Sequence, residues 1–244
     1  MSPLEPSPEA LLAELARRFG PHPVRAWQIP LDSDAGLARW LVACALLSRS
    51  ADPARAASAL RSLDAAGLDA PALARATPLP LAALLARAEL RDPDTLAPLL
   101  IRLARGLRER CEGSLARLAS ACDGLEDLGS RLSQLAPGFG AAAVLAFLRP
   151  LRGAWPAARE VPLDPAARAA ALHLGLIAEG DDEDGEPGAL RAALALLPAA
   201  EAAGPAALGD VEWVLSRLGR AACARNQSAR CPLGAGCPQR RAHS

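Results

Sequence analysis

The stretch Leu135-Ala136-Pro137-Gly138-Phe139-Gly140-Ala141-Ala142-Ala143 carries the most specific chemistry in this 244-residue chain. Two glycines one residue apart, behind an apolar helix end and ahead of an alanine-rich run, predict a tight hairpin between two helices. Glycine takes positive φ without steric cost, and missing side chains let backbone N–H groups approach an anion where the second helix begins. Pro137, Gly138, Phe139 and Gly140 are therefore expected to form a phosphate-binding turn; a plain helix-helix turn terminated by glycine would use the same residue types. Downstream, Asp164-Pro165 reads as a helix start, with Asp as N-cap and Pro in the first turn. Cys223, Cys231 and Cys237 lie close together near the C-terminus.

Every one of the 27 basic residues is Arg, because the sequence contains no Lys. Chemistry that needs a lysine amine, such as a Schiff base with an opened sugar, is thereby excluded. The formal net charge is zero and the isoelectric point is near 6.8, so any nucleic-acid-binding face must be local. Met1 to Phe19 carry Glu5, Glu9 and Glu14 without an uninterrupted apolar core, so no secretory signal is expected. No stretch reads as a membrane span, and a cytoplasmic location is expected. Six Cys in such a chain are then read for metal or packing rather than for disulfides.

The elements that must position these residues are helices. Ala and Leu dominate, β-branched and aromatic residues are scarce and Tyr is absent, which predicts an all-α protein. Ser7-Pro8-Glu9 opens a helix that stops at Gly20, and Gly20 to Pro30 reads as a connector. From Ser33 or Asp34, the residues Leu37, Trp40, Leu41, Cys44 and Leu47 share a face and predict a central helix. Helices follow from Pro53, from Pro71 to Arg75, from Leu81 to Leu90 and from Asp94 to Cys111. Two more, Leu115–Cys122 and Leu125–Leu135, lead into the hairpin, whose second helix spans Ala141 to Leu148. After a connector, further helices are expected from Pro165 to about Leu176, from Ala189 to Leu197 and from Asp210 to Cys223. The acidic segment 181–186 reads as a solvated loop.

The form Leu-x-Pro-Gly-x-Gly, an Asp downstream and a C-terminal Cys cluster, in this order, resemble the helix-hairpin-helix base-excision DNA glycosylases, in particular the endonuclease III branch. Further similar stretches are Phe19-Gly20-Pro21-His22-Pro23, Leu37 to Leu47 with the polar turn after it, Leu174-Gly175-Leu176, and Trp213 to Arg220 followed by Cys223. The resemblance implies two helical domains with a DNA-binding cleft between them. A six-helix barrel would hold 30–155, and a second domain would combine 1–29 with 156–244. The implied partner is double-stranded DNA, gripped through a phosphate by the hairpin while a damaged nucleotide is flipped out; the implied protein is a monomer.

By the same resemblance, Asp164 matches the family's catalytic aspartate, which activates water or stabilises the positive charge developing on the sugar. The family usually follows that Asp with Thr-His, where this chain has Pro165-Ala166. Ala142 stands where bifunctional members carry the catalytic lysine, which leaves hydrolytic base removal without strand cleavage, or a paralogue that binds DNA and has lost catalysis. Arg49 and Ser50 lie where the family fills the hole left by the flipped base, and Arg149, Arg152 and Arg159 would build a basic rim near the hairpin. The family's cluster loop uses four Cys to hold a [4Fe–4S] cluster. Cys223, Cys231 and Cys237 match three of the positions and the second ligand is missing, so the loop reads either as a site with a non-Cys or remote fourth ligand or as a degenerate, cluster-free remnant.

Overall fold

The structure, a computed structural model, describes residues 8–50, 52–177, 204–223, 231–234 and 237. Among them it is all-helical, with no strand, and no helix is long and apolar enough to cross a membrane. The chain divides into two compact units: Pro23–Val161, and a second drawn from Met1–His22 and Pro162–Ser244.

The first unit contains α2 (Pro23–Ala26), α3 (Asp34–Ser48), α4 (Pro53–Ala65), α5 (Ala70–Arg75), α6 (Pro78–Arg87), α7 (Pro93–Cys111), α8 (Leu115–Ser120), α9 (Leu125–Ser133) and α10 (Ala141–Leu148). Short 3-10 turns follow at Arg149–Leu151 and Pro156–Ala158. Ser33 caps α3 by accepting the Gly36 amide at 3.2 Å. Every residue from Gly36 to Leu46 except Arg39 is buried, as befits a helix that is apolar nearly all round. Trp40 ties this central helix to α10 by donating its indole N–H to the Phe147 carbonyl at 3.0 Å. In α7 the buried Leu96, Leu99, Leu100, Leu103 and Leu107 follow the helical period, and the helix packs against α3, α5 and α6.

The second unit pairs α1 (Pro8–Phe19) and α11 (Pro165–His173) with α12 (Gly204–Ala221). Leu11, Leu12 and Leu15 of α1 share one core with Leu163, Ala170, Leu215 and Leu218. The end of α1 is pinned by polar contacts. The His22 amide donates to Asp210 Oδ1 at 2.7 Å, the His22 ring stands edge-on to Trp213 at 5.8 Å, and the Arg217 guanidinium lies over Phe19 and Trp213.

Several elements depart from the pattern read in the sequence. The connector expected over Gly20–Pro30 contains α2, started by Pro23 and closed by the Ile29 amide donating to the Val24 carbonyl at 2.9 Å. Helix α6 begins at Pro78 rather than Leu81 and ends at Arg87, just before Glu89 turns left-handed with φ 55°. Helix α11 stops at His173 because Gly175 adopts φ 68°. Helix α12 starts at Gly204, earlier than Asp210, and Pro205 suits a first turn. Asp92, which precedes Pro93 as Asp52 precedes Pro53, sits at φ 52° and makes no side-chain cap bond, whereas Asp52 caps α4. Ser7, the acidic segment 181–186 and the helix expected over 189–197 lie outside the described residues.

At Gly106, helix α7 meets the chain entering the hairpin backbone to backbone. A Cβ placed on Gly106 would stand 2.1 Å from the Leu135 carbonyl oxygen, a distance only displacement of one element can relieve. Gly106→Ala is therefore expected to destabilise the protein by about 2 to 3 kcal/mol in urea unfolding. Gly129→Ala in α9, where an added Cβ meets nothing within 4 Å, should instead stabilise by about 0.5 to 1 kcal/mol.

Candidate functional site

The hairpin takes shape from its surroundings. Leu135 and Ala136 are buried and draw the chain inward, while Pro137, Gly138 and Gly140 are exposed. Gly138 adopts φ 98°, a conformation open to glycine and strained for other residues. The Phe139 amide closes the turn on the Ala136 carbonyl at 3.0 Å. The Phe139 ring is 2% exposed, so this residue anchors the turn in the core and offers a ligand its backbone alone. Gly140 then caps α10 without a side-chain bond, and the first amides of a helix have no intrahelical partner. Behind the turn, Gly138 faces Leu99 Cδ1, an added Cβ being 3.7 Å away, and Arg102 Nη2 donates to the Pro137 carbonyl at 3.2 Å. Leu99, Arg102 and Gly106 form one stripe of α7 that backs the hairpin. The exposed N-terminal end of α10 can therefore accept an anion.

Ala142, the position at which the resemblance would place a lysine, is exposed on the first turn of α10. Arg49 is the half-buried C-cap of α3. Ser50 Oγ donates to the Asp52 carbonyl at 2.6 Å and accepts the Asp52 amide at 3.2 Å. It thereby sets the turn that leads into α4, whose N-cap is Asp52. The expected basic rim loses a member, since Arg152 is 5% exposed and its Nε donates to the Val161 carbonyl at 2.8 Å. That guanidinium holds backbone; Arg159 is exposed.

Asp164 belongs to the second unit. Its carboxylate caps α11, with Oδ1 accepting the amides of Ala166 at 3.0 Å and Ala167 at 3.4 Å. Oδ1 also accepts the Ser216 hydroxyl at 3.1 Å, and Oδ2 accepts Arg220 Nη2 at 2.7 Å. The Asp164 amide donates to Glu212 Oε1 at 2.8 Å. Glu212, Ser216 and Arg220 recur every four residues and so lie on one stripe of α12. Asp164, Glu212 and Ser216 account for three of the four buried polar side chains among the described residues, the fourth being Arg152. Buried polar groups need partners, and here each of the three has one. Sequence reading missed Glu212, Ser216 and Arg220 as neighbours of Asp164, although their spacing was the available signal.

Cys223, Cys231 and Cys237 are each buried in the core of the second unit. Burial, followed by the neighbouring Cys231 and Cys237, pushes the Cys223 thiol up to about 12. The three thiols are therefore near enough to influence one another. As a donor set they fall one thiolate short of a [4Fe–4S] site, and among the described residues no group of three or more His, Cys, Asp or Glu is arranged to hold a metal ion. Cys44 in α3 is fully enclosed and its thiol is pushed well up by burial. Cys122 is half-buried, with Sγ donating to the Leu118 carbonyl at 3.1 Å. Cys111 closes α7.

The Asp164 bonds predict separable stabilities for two substitutions. Asp164→Ala removes the cap and leaves the buried Ser216 hydroxyl without its acceptor, for an expected loss of about 2 kcal/mol in urea unfolding. Asp164→Asn keeps an oxygen for the amides and loses only the ion pair with a largely exposed guanidinium, so roughly half that loss is expected. No protein-family model matches the chain and no curated protein matches it.

Proposed function

We propose that this protein is an endonuclease III-like DNA repair protein, a monofunctional DNA glycosylase that hydrolyses the N-glycosidic bond of a damaged or mismatched base in duplex DNA. The observation that supports it most is the hairpin, with Gly138 at φ 98°, Gly140 open on its outer face and α10 starting behind it without a side-chain cap. In this reading the hairpin holds a backbone phosphate, and the DNA lies in the cleft of a two-domain helix-hairpin-helix architecture.

In the reaction, the C1′–N bond breaks and its electron pair leaves with the base. Water adds to C1′ and its proton ends on the base, so a free base and an abasic sugar result. Asp164 supplies the negative charge that stabilises the cationic sugar between these events. A carboxylate held by two amides, a hydroxyl and a guanidinium is fixed in direction before substrate arrives. With no lysine in the chain, the sugar is not attacked by an amine and the strand is left uncut.

One observation favours a second reading, a DNA-binding paralogue without catalysis. The cap and hydroxyl bonds of Asp164 Oδ1 make this residue a structural clasp between α11 and α12 whether or not it acts on a sugar. An assay on duplexes carrying different lesions, followed by alkali to cut abasic sites, separates the two. The glycosylase reading expects base release by the wild-type chain and a loss of at least about a hundredfold in Asp164→Asn, with duplex affinity kept. Binding without release from any lesion supports the paralogue.

The hairpin has its own test. Gly140 has φ −77° and room for a side chain, since nothing lies within 4 Å of an added Cβ. Gly140→Val should therefore keep most of the folded stability while holding the phosphate away from the amides. Duplex affinity is expected to fall about tenfold, read by fluorescence anisotropy at fixed salt. Unchanged affinity would remove the phosphate-binding role.

A further inference from the structure

The donors around Asp164 divide by oxygen and by exposure. Oδ1 takes the Ala166 and Ala167 amides and the buried Ser216 hydroxyl. Oδ2 takes Arg220 Nη2 at 2.7 Å, and the Arg220 side chain is 59% exposed while that of Asp164 is 12% exposed. A helix cap needs only one carboxylate oxygen, and Oδ1 already fulfils that need. An ion pair with a largely exposed partner contributes little to folding. Folded stability therefore gives no full account of why a guanidinium stands on Oδ2.

We infer that Arg220 is a positioning residue for base release by Asp164, fixing Oδ2 in direction and holding negative charge on the carboxylate through the step in which the C1′–N bond breaks. This rests on the glycosylase reading. Arg220 touches neither sugar nor base; it acts through Asp164. Its place follows from α12, where Glu212 holds the Asp164 amide, Ser216 holds Oδ1 and Arg220 holds Oδ2 in successive turns. The backbone contact at Gly219, where an added Cβ would stand 1.8 Å from the Ala166 carbonyl oxygen, fixes that stripe against the start of α11. A guanidinium keeps its charge across the working pH range, and a nearby positive charge favours the ionised carboxylate.

The test compares wild type, Arg220→Gln and Arg220→Lys in single-turnover base release between pH 5 and 9, with duplex affinity and thermal unfolding measured alongside. Arg220→Gln is expected to lower the rate roughly tenfold while affinity changes by less than about twofold. The low-pH limb of its profile should move to higher pH, because removing the cation makes the carboxylate easier to protonate. Arg220→Lys restores the charge and should recover most of the rate and the wild-type limb. An Arg220→Gln profile identical to wild type overturns the inference, as does a rate loss that only tracks lost duplex affinity. Base release by wild type with an unaffected Arg220→Gln sinks this inference alone; no release by wild type from any lesion sinks the glycosylase reading and this inference with it.

Discussion

Two glycines, Gly106 in α7 and Gly219 in α12, let helix backbone approach a neighbouring carbonyl where a Cβ would not fit, and both contacts support a part of the candidate site. Gly106 brings α7 onto the Leu135 carbonyl, which fixes where the hairpin leaves the core of the first unit. Gly219 brings α12 onto the Ala166 carbonyl, which fixes the helix start that Asp164 caps. Interiors pack to crystal density and do not deform continuously, so a methyl group at either glycine shifts a whole element. The hairpin and the Asp164 clasp are thus set by close backbone approach first and by their own side chains second.

Charge is used locally throughout. With 27 acidic and 27 basic residues the chain carries no net charge, and several of its arginines are engaged within the fold. Arg39 pairs with Asp64, Arg55 with Glu89 and Arg131 with Asp127. Arg105 holds the Ala74 carbonyl, and Arg152 holds that of Val161. What remains at the hairpin is backbone polarity: exposed amides at a helix start, with the Arg102 guanidinium on the Pro137 carbonyl. The same economy holds at Asp164, where cap, hydroxyl and ion pair are gathered on one carboxylate.

How much of this was legible in the sequence depended on whether the determinant was local. The hairpin was readable from Leu135 to Ala143 because a turn between helices is written in consecutive residues, with glycine where positive φ is required. The central helix was readable because its apolar positions repeat with the helical period. The boundaries of α6 and α11 were less so, since a proline suits several first-turn positions and a helix ends where a glycine turns left-handed, one residue among several that qualify. Asp52, Asp92 and Asp164 look alike beside their prolines, yet Asp52 and Asp164 cap while Asp92 does not. Nothing local distinguishes them. The partners of Asp164 lie on a helix 48 to 56 residues away, and Arg152 looked like surface until Val161 folded back upon it. Such pairings become visible only when the chain closes.

Helix ends fray, and local stability is lowest where the last turns open. Arg220 sits in the last turn of α12, one residue before its end at Ala221, so the grip on Asp164 Oδ2 is placed on the part of the helix most prone to open. Cys223 follows two residues past that end and is buried in the same core as Cys231 and Cys237. The burial of Cys223 in that shared core thereby holds the chain just past the terminus that carries Arg220. Seen this way, the packing of these three cysteines opposes fraying of the turn that presents the guanidinium.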